Sequence, residues 1–355
     1  MIIFIGLLLL LALYKCKPKF NKEFYADYAS GVQTRSINGI CIMLILFSHT
    51  FAKVAPMGVF DTIYEPMRIF LGQFVVVPFL FYSGYGIMES INRKENYIKT
   101  FPKKRFLKIV IRFAIITILY IILHIILGTQ YSIPHILLSF TGVTTIGNGN
   151  WYILSTFVFY ISIILCFNLF KTNKILATIG VTVCLIILMI IEILFDFPSY
   201  YYSTTIFFAV GMFYSLLKKP FDRIVMKNNV VWASCLVISV LGFVFSKVLV
   251  DKLVVFYPMW CGFGMLMILC TTMKIKIGNK ALIWLGETTF FNITLQGLSQ
   301  IILVKYLTNN YLIYILVTII SLVLVWVVDK LFKKGENYIK FKTKKDKKER
   351  EHVTF

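Results

Sequence analysis

Apolar stretches long enough to cross a membrane recur along the whole chain, separated by short polar segments. A transmembrane helix needs about 20 mostly apolar residues, and stretches of roughly that length predict helices here. They lie near 1–14, 37–55, 68–90, 106–128, 151–170, 175–195, 203–217, 230–248, 253–272, 281–304 and 311–332. The pattern therefore predicts an all-α fold, a polytopic transmembrane helical bundle of about 11 helices.

Lysine and arginine are concentrated in alternate polar segments. They fill segments 15–36, 91–105, 218–227 and the tail, whereas 129–150 and 196–202 contain none. Because positively charged loops stay on the cytoplasmic side, the alternation predicts an odd number of spans. It places the N-terminus outside and the C-terminus in the cytoplasm of a multi-pass protein of the cell membrane.

Composition limits the classes of function. The chain is 59% hydrophobic and only 15% charged, so it has no room for a sizeable soluble domain. The formal charge of +21 is explained by loop topology, and we expect membrane lipid as a partner and no nucleic acid. The basic tail, 335–355, is expected to be disordered or to lie on the anionic leaflet. The cysteines show no metal-ligand spacing, and no metal site is expected.

His49 is the first candidate for chemistry. It lies in the apolar run from Ile37 to Thr50, roughly 18 Å from the start of that run. An ionisable group at membrane depth is costly and usually faces a protein interior or a polar cavity. The residue is either a general base that takes a proton from a hydroxyl or a polar contact between helices.

A second candidate is a basic cluster where a loop enters the fourth predicted helix, comprising Lys103, Lys104, Arg105 and Lys108. Cations at a helix N-terminus suit a phosphate group. The alternative is plain anchoring of the loop on the positive side of the membrane.

Further candidates are polar or aromatic residues at helix ends and on one helix face. Trp151 and Tyr152 begin the fifth helix and are either an interface belt or a platform for a sugar or acyl group. Asn292 and Gln296 are four residues apart and share a face; they either bind substrate or join helices. Glu192 is expected to snorkel to the outer interface.

Five segments, taken in order, resemble the acyltransferase 3 family of membrane acyltransferases. They are INGICIMLILFSH, PFLFYSGYGIMESINRKENYIKTFPKKRFLKI, GNGNWYILSTFVFY, YYSTTIFFAVGMFYSLLKK and WLGETTFFNITLQ. The resemblance runs from about Asp27 to Leu324, and no appended esterase-like domain is visible. It implies a ten-helix core within a domain at 27–334, preceded by an N-terminal helix and basic loop at 1–26 and followed by the tail.

The resemblance also implies residue roles. His49 matches the family's catalytic histidine, and Lys103, Lys104, Arg105 and Lys108 match its Lys-Arg-rich segment for the donor. The family's basic residue is Asn38 here, with Arg35 one turn earlier, and Gln296 stands where many members have histidine. The expected substrate-binding residues are Arg35, Asn38, Trp151, Tyr152, Asn292 and Gln296.

The implied reaction is an acyltransferase reaction, with O-acetylation of a surface polysaccharide or a lipid-linked sugar as the expected form. The expected donor substrate is acyl-CoA, with acetyl-CoA as its simplest form, and no permanently bound cofactor is expected. Two other functions remain open. One is a non-catalytic polysaccharide exporter or flippase of the same fold, suggested by Asn38 and Gln296. The other is a secondary transporter, which the absence of an internal repeat disfavours.

Overall fold

All eleven apolar stretches are helical in the computed structural model, which describes residues 2–54, 58–149, 151–171, 173–250, 252–253 and 255–353. The all-α prediction is confirmed. The helices that match are α1 Ile2–Leu13, α2 Gly31–Phe51, α4 Val77–Arg93, α6 Leu107–Ile126, α8 Trp151–Leu169, α9 Lys174–Leu194, α10 Phe207–Val225, α11 Asn229–Leu249, α12 Phe256–Lys274, the pair α13 Lys280–Glu287 and α14 Thr289–Tyr306, and α15 Asn310–Val353.

Short elements complete the fold. Between α2 and α4 lie α3, Val59–Leu71, and a 3₁₀ turn, Gly72–Val76; α5 is Tyr97–Phe101, and a π-helical turn, Pro102–Phe106, leads into α6. The helix α7, Ile133–Ser139, and a 3₁₀ turn, Ser199–Tyr201, lie in loops. Two short strands that the sequence did not predict, β1 Lys17–Pro18 and β2 Ile275–Lys276, pair antiparallel.

Eight helices in the described part of the chain are long and apolar enough to cross a membrane. The other three predicted spans fall short for visible reasons. Helix α1 has 12 residues, α10 carries four charged residues in its second half, and α14 carries buried amides and hydroxyls along its length. The most polar of these three, α14, is also the helix that contributes most to the site described below.

Helix α2 is displaced from the predicted range 37–55. It begins at Gly31, after Ser30 in extended backbone, and ends at Phe51, because the polar first two turns of the helix do not register in hydropathy. His49 consequently lies in the last turn of α2. It is roughly 27 Å from the helix start, at an end of the helix and not near its middle.

Glycines hold two pairs of helices at backbone contact. A Cβ on Gly39 would lie 2.2 Å from the carbonyl oxygen of Leu282, and one on Gly286 would lie 1.9 Å from that of Arg35, so α2 and α13 approach through a glycine on each side. Gly84 and Gly211 do the same for α4 and α10. Such small-residue contacts are typical of membrane helices and fix α13 against the first half of α2.

The basic segments meet at one end of the bundle, which we call the basic end: segments 15–36, 89–112, 171–174, 215–229, 274–287 and 329–338. β1 pairs with β2 there, and Lys274 donates to the carbonyl oxygens of Asn21 and Glu23 at 2.8 Å. Lys174 donates to Asn92 at 2.8 Å. The opposite end, which holds the end of α2, is called the His49 end.

Two expectations about polar segments are corrected. The tail is not irregular, because α15 continues to Val353; lysine and glutamate, which dominate it, are good helix formers. That this helix lies on the anionic leaflet stays a prediction. Glu192 does not snorkel, since it is only 1% exposed and neither carboxylate oxygen has a hydrogen-bond partner among the described residues.

Candidate functional site

His49 contacts α14 through one ring nitrogen. Its Nδ1 lies 3.0 Å from Nε2 of Gln296, and the Gln296 side chain is buried. His49 itself has an exposed surface, and nearby protein groups also remove part of the water from around its ring. The ring is therefore held on its Nδ1 side and accessible elsewhere, which is an arrangement suited to proton transfer with a bound molecule.

The Gln296 amide decides which ring nitrogen carries the proton. With Nε2 of Gln296 donating to Nδ1, the neutral imidazole carries its proton on its own Nε2. Rotating the amide by about 180° presents Oε1, which has no partner among the described residues, to Nδ1–H instead, since amide oxygen and nitrogen are nearly isosteric. The rotated form leaves the imidazole Nε2 free to accept a proton, at the cost of the 3.3 Å bond from Gln296 to the Ile293 carbonyl.

Buried polar residues follow one face of α14 at four-residue spacing. Asn292 donates to the hydroxyl and carbonyl oxygens of Thr288 at 3.0 and 3.1 Å. Gln300 donates to the Thr50 hydroxyl at 3.3 Å. The predicted shared face of Asn292 and Gln296 is thus present in α14, and it extends by one turn in each direction. Among the described residues, Gln296 is the member of this set that forms a hydrogen bond with His49.

Asn38, where the resemblance places a basic residue, and Arg35, one turn earlier, have different surroundings. Arg35 forms an ion pair with Glu287 at 2.8 Å, at the basic end, so its charge is already neutralised by a carboxylate. Asn38 lies three helical turns before His49 on the same face of α2. Its Oδ1 is buried and has no hydrogen-bond partner in the described part of the chain. Asn38, and not Arg35, has a group left over for a ligand.

The predicted donor cluster divides in two. Lys103, Lys104 and Arg105 lie on the π-helical turn before α6 and are exposed. Lys108 donates instead to Glu336 of α15 at 2.6 Å. The structure therefore leaves three of the four predicted cations available to a phosphate group and places the fourth in an ion pair.

Trp151 and Tyr152 are half-buried at the start of α8, with their rings edge to face at 6.0 Å between centroids. The preceding loop packs on α14, because Gly149 lies against Ile293 and Thr294. The aromatic pair is thereby brought near the α14 residues that precede Gln296. Within the described part of the chain this pair forms no hydrogen bond with His49, and its role as a substrate platform stays a prediction.

Sequence reasoning missed two cations beside His49. Lys53 follows α2, and Arg68 lies in the last turn of α3; both are near enough to act electrostatically on the imidazole. A signal was present, because other loops predicted to be on this side, such as 129–150, contain no lysine or arginine. A cation in a segment where topology disfavours it indicates a local role.

Comparison with known proteins adds one finding. A family model described as an acyltransferase domain matches residues 36–330, which include His49, the basic cluster, the start of α8 and all of α14. No curated protein and no solved structure matches the chain.

Proposed function

The chain belongs to the acyltransferase 3 family and is a multi-pass membrane acyltransferase, and on that premise we propose that it uses His49 as a general base. In this proposal the acyl group, with acetyl as the simplest case, passes from acyl-CoA to a hydroxyl of a cell-surface glycan or lipid-linked sugar. The observation that carries the proposal is the contact of His49 Nδ1 with Gln296 at 3.0 Å, which orients a ring that is otherwise exposed.

The proposed step is acyl transfer by direct attack. Nε2 of His49 removes the proton of the acceptor hydroxyl while the hydroxyl oxygen bonds to the thioester carbonyl carbon. The tetrahedral intermediate collapses by breaking the carbon–sulfur bond, and the imidazolium returns the proton to the leaving thiolate. The products are the ester and free coenzyme A, and His49 ends neutral, as it began. Base catalysis of this kind contributes about 10²–10⁴-fold.

Gln296 acts in this proposal as a positioning residue. The base step needs a free lone pair on the imidazole Nε2, so Nδ1 must carry the proton and donate it to an acceptor. The rotated Gln296 amide supplies that acceptor through Oε1, which has no other partner among the described residues. The same contact stabilises the imidazolium after proton transfer, because Oε1 then accepts a charge-assisted hydrogen bond.

The donor is assigned to the exposed cations Lys103, Lys104 and Arg105. Charge-assisted hydrogen bonds to phosphate oxygens are among the strongest in proteins. The π-helical turn that carries these residues packs on α8, where Phe106 contacts Phe157 at 5.9 Å between ring centroids. That level is about 9 Å along α8 from Trp151, a distance that an extended phosphopantetheine arm can cover to bring the thioester toward the His49 end.

The membrane orientation follows as part of the proposal. The basic end would face the cytoplasm, where acyl-CoA is available, with the N-terminus outside and the C-terminus inside. The His49 end would face outward, toward the glycan acceptor. Labelling of single cysteines at the exposed positions 95 and 141 should reach the first only from the cytoplasm and the second only from outside.

The decisive test is His49→Gln in the purified protein, with acetyl transfer from acetyl-CoA as the readout. Glutamine keeps hydrogen bonding but cannot cycle a proton, so transfer should fall by about 10²–10⁴-fold with unchanged folding by size-exclusion chromatography. His49→Ala should lose transfer as well. Wild-type transfer by the glutamine variant would refute the general base and favour the exporter or flippase function.

A second pair of variants tests the role of Gln296. Gln296→Glu offers an acceptor that cannot rotate into the wrong orientation, so it should keep transfer and shift the pH profile by stabilising the imidazolium. Gln296→Leu removes the acceptor and should lower kcat with little change in the KM for acetyl-CoA. Equal kinetics and equal pH profiles in the two variants would show that Gln296 serves packing alone.

A further inference from the structure

Two cations lie near His49. Lys53 lies just beyond the end of α2, and Arg68 lies in the last turn of α3, so the helix end and the neighbouring helix each contribute one. Both charges act on the imidazole electrostatically. A molecule that binds beside His49 therefore meets the positive charges of Lys53 and Arg68.

Arg68 is packed but has hydrogen-bonding capacity left. Its guanidinium lies over the Phe51 ring, with 5.4 Å between Cζ and the ring centroid. The side chain is half-buried, and Nε is buried without a hydrogen-bond partner among the described residues. Stacking of this kind fixes the plane of the guanidinium and leaves its donor edge for a planar or tetrahedral oxyanion.

Lys53 is accessible and partly desolvated. The side chain is exposed, yet nearby protein removes water from the ammonium and lowers the pKa of Lys53 from its usual value. A desolvated ammonium gains more from an anion than a fully hydrated one does, because the interaction takes place in a lower effective dielectric.

The acidic residues nearby do not neutralise this pair. Within the described part of the chain, no carboxylate lies at ion-pair distance from Lys53 or Arg68. Asp61 accepts a hydrogen bond from Tyr311 at 2.7 Å, and Glu65, one turn before Arg68 on α3, forms no ion pair with either cation. The two positive charges therefore remain available to a ligand.

We propose that Lys53 and Arg68 form a subsite for an oxyanion of the acceptor, a phosphate or carboxylate group adjoining the hydroxyl that is acylated. This inference rests on the proposed function, and it narrows the acceptor to acidic glycans and phosphate-linked sugars. The anion anchors the acceptor beside the ring, and the hydroxyl then lies within reach of His49. The same oxyanion could come from two other molecules, a phospholipid through its headgroup or coenzyme A through its phosphates.

The test is binding of N-acetylglucosamine 1-phosphate to the full chain in a neutral detergent, measured by calorimetry. The uncharged sugar N-acetylglucosamine is the reference ligand. The wild type should prefer the phosphate by at least about tenfold, and Lys53→Gln/Arg68→Gln should lose that preference, since each charge-assisted hydrogen bond contributes substantially. The charge-conserving pair Lys53→Arg/Arg68→Lys should keep most of it and shows whether a loss reflects misfolding.

The matched control is Lys252→Gln/Lys305→Gln. Both residues are exposed lysines, one after α11 and one near the end of α14. Replacing them removes the same total charge as Lys53→Gln/Arg68→Gln does. The control should bind the sugar phosphate as the wild type does. If both double variants lose the preference for the sugar phosphate equally, net charge alone explains the preference and the subsite is wrong.

Two further arms identify the source of the anion. Phosphatidylglycerol in a nanodisc should leave sugar-phosphate binding within about twofold of that in phosphatidylcholine; strong competition would assign the subsite to a lipid headgroup and overturn the acceptor assignment. Coenzyme A should bind equally to the wild type and to Lys53→Gln/Arg68→Gln; a selective loss of coenzyme A binding would overturn it too.

His49→Gln separates the two proposals in the same assay. It should bind the sugar phosphate as the wild type does, because the cations are intact. If this variant keeps both sugar-phosphate binding and acyl transfer, the general base is wrong and the subsite stands. If it loses transfer while Lys53→Gln/Arg68→Gln binds the phosphate normally, the base stands and the subsite is wrong.

Discussion

Arg112 and Arg68 are packed alike but neutralised differently. Arg112 stacks on Phe291 and Phe332, with Cζ 5.1 and 5.5 Å from the ring centroids, and Arg68 stacks on Phe51 at 5.4 Å. In both, Nε is buried without a hydrogen-bond partner among the described residues. Arg112, however, donates to Glu336 at 2.6 Å, whereas Arg68 forms no ion pair with a carboxylate in the part of the chain that the structure describes.

The difference separates a cation that holds helices together from one that awaits a ligand. Removing a guanidinium from water is costly, and an ion pair offsets much of that cost. Glu336 provides the offset at the basic end and links α6 to α15, with Lys108 as its second partner. At the His49 end no ion pair among the described residues offsets the desolvation cost of the Arg68 guanidinium. Such departures from optimal stability are common at functional sites.

The largest expected effect is on donor binding by the unpaired cations of the basic end. Lys103→Gln, Lys104→Gln and Arg105→Gln together should raise the KM for acetyl-CoA by roughly 10–100-fold, because phosphate oxygens lose charge-assisted hydrogen bonds. The control triple Lys219→Gln, Arg223→Gln and Lys227→Gln removes the same charge from exposed positions at the same end. A similar rise in both triples would reduce the cluster to a topology signal.

Next in size is the loss of a paired anion. Glu336→Gln leaves Lys108 and Arg112 without their carboxylate, and we expect a stability loss of about 1–2 kcal/mol, moderated by the partial exposure of all three side chains. Thermal unfolding in detergent measures it. Acetyl transfer per folded molecule should not change. If transfer falls while the melting temperature holds, Lys108 belongs to the donor site as the sequence predicted.

A smaller effect is expected at the more exposed ion pair. Arg35 and Glu287 have side chains 49% and 40% exposed, so Glu287→Gln should cost about 0.2–1 kcal/mol. The same unfolding measurement applies, at low and high salt, and salt should erase the difference from wild type. A larger cost would mean that this pair, and not the glycine contact of Gly286, fixes α13 on α2.

The smallest stability effect should come from Arg68 itself. Arg68→Gln removes a cation that has no ion-paired carboxylate among the described residues, so the free energy of unfolding should stay within about 0.5 kcal/mol of wild type, or rise. Arg112→Gln strands Glu336 and should destabilise more. Equal destabilisation by the two variants would remove the distinction between them.

The helices could be predicted from hydropathy, but several of their ends could not. The 3₁₀ turn at Gly72, where φ is +43°, divides the predicted helix 68–90, and Thr288 separates α13 from α14. Both interruptions lie within or beside apolar sequence, so hydropathy averaged over about 20 residues does not reveal them. The shared face of Asn292 and Gln296 was predictable because it depends on local spacing alone.

The candidate site was predictable in part. His49 stands out as an ionisable residue in an apolar helix, but its contact with Gln296 joins positions 247 residues apart, and local patterns do not report such pairs. Lys53 and Arg68 were overlooked because a lone cation near a helix end is common, and their charge stands out only when the neighbouring loops are compared. Their significance comes from what surrounds them: Arg68 stacks on Phe51, and neither cation forms an ion pair within the described part of the chain.

The pairing of β1 with β2 has a consequence for biogenesis. Lys17 and Lys276 lie opposite each other, so the chain emerging from the ribosome carries the first strand for about 260 residues before its partner exists, or roughly 10–50 s of synthesis. During that interval the segment after α1 is held by neither β2 nor Lys274. The β1–β2 pair and the hydrogen bonds of Lys274 form only near the end of translation. In a chain that stops before Lys274 the segment after α1 lacks these contacts, and quality-control proteases can reach it.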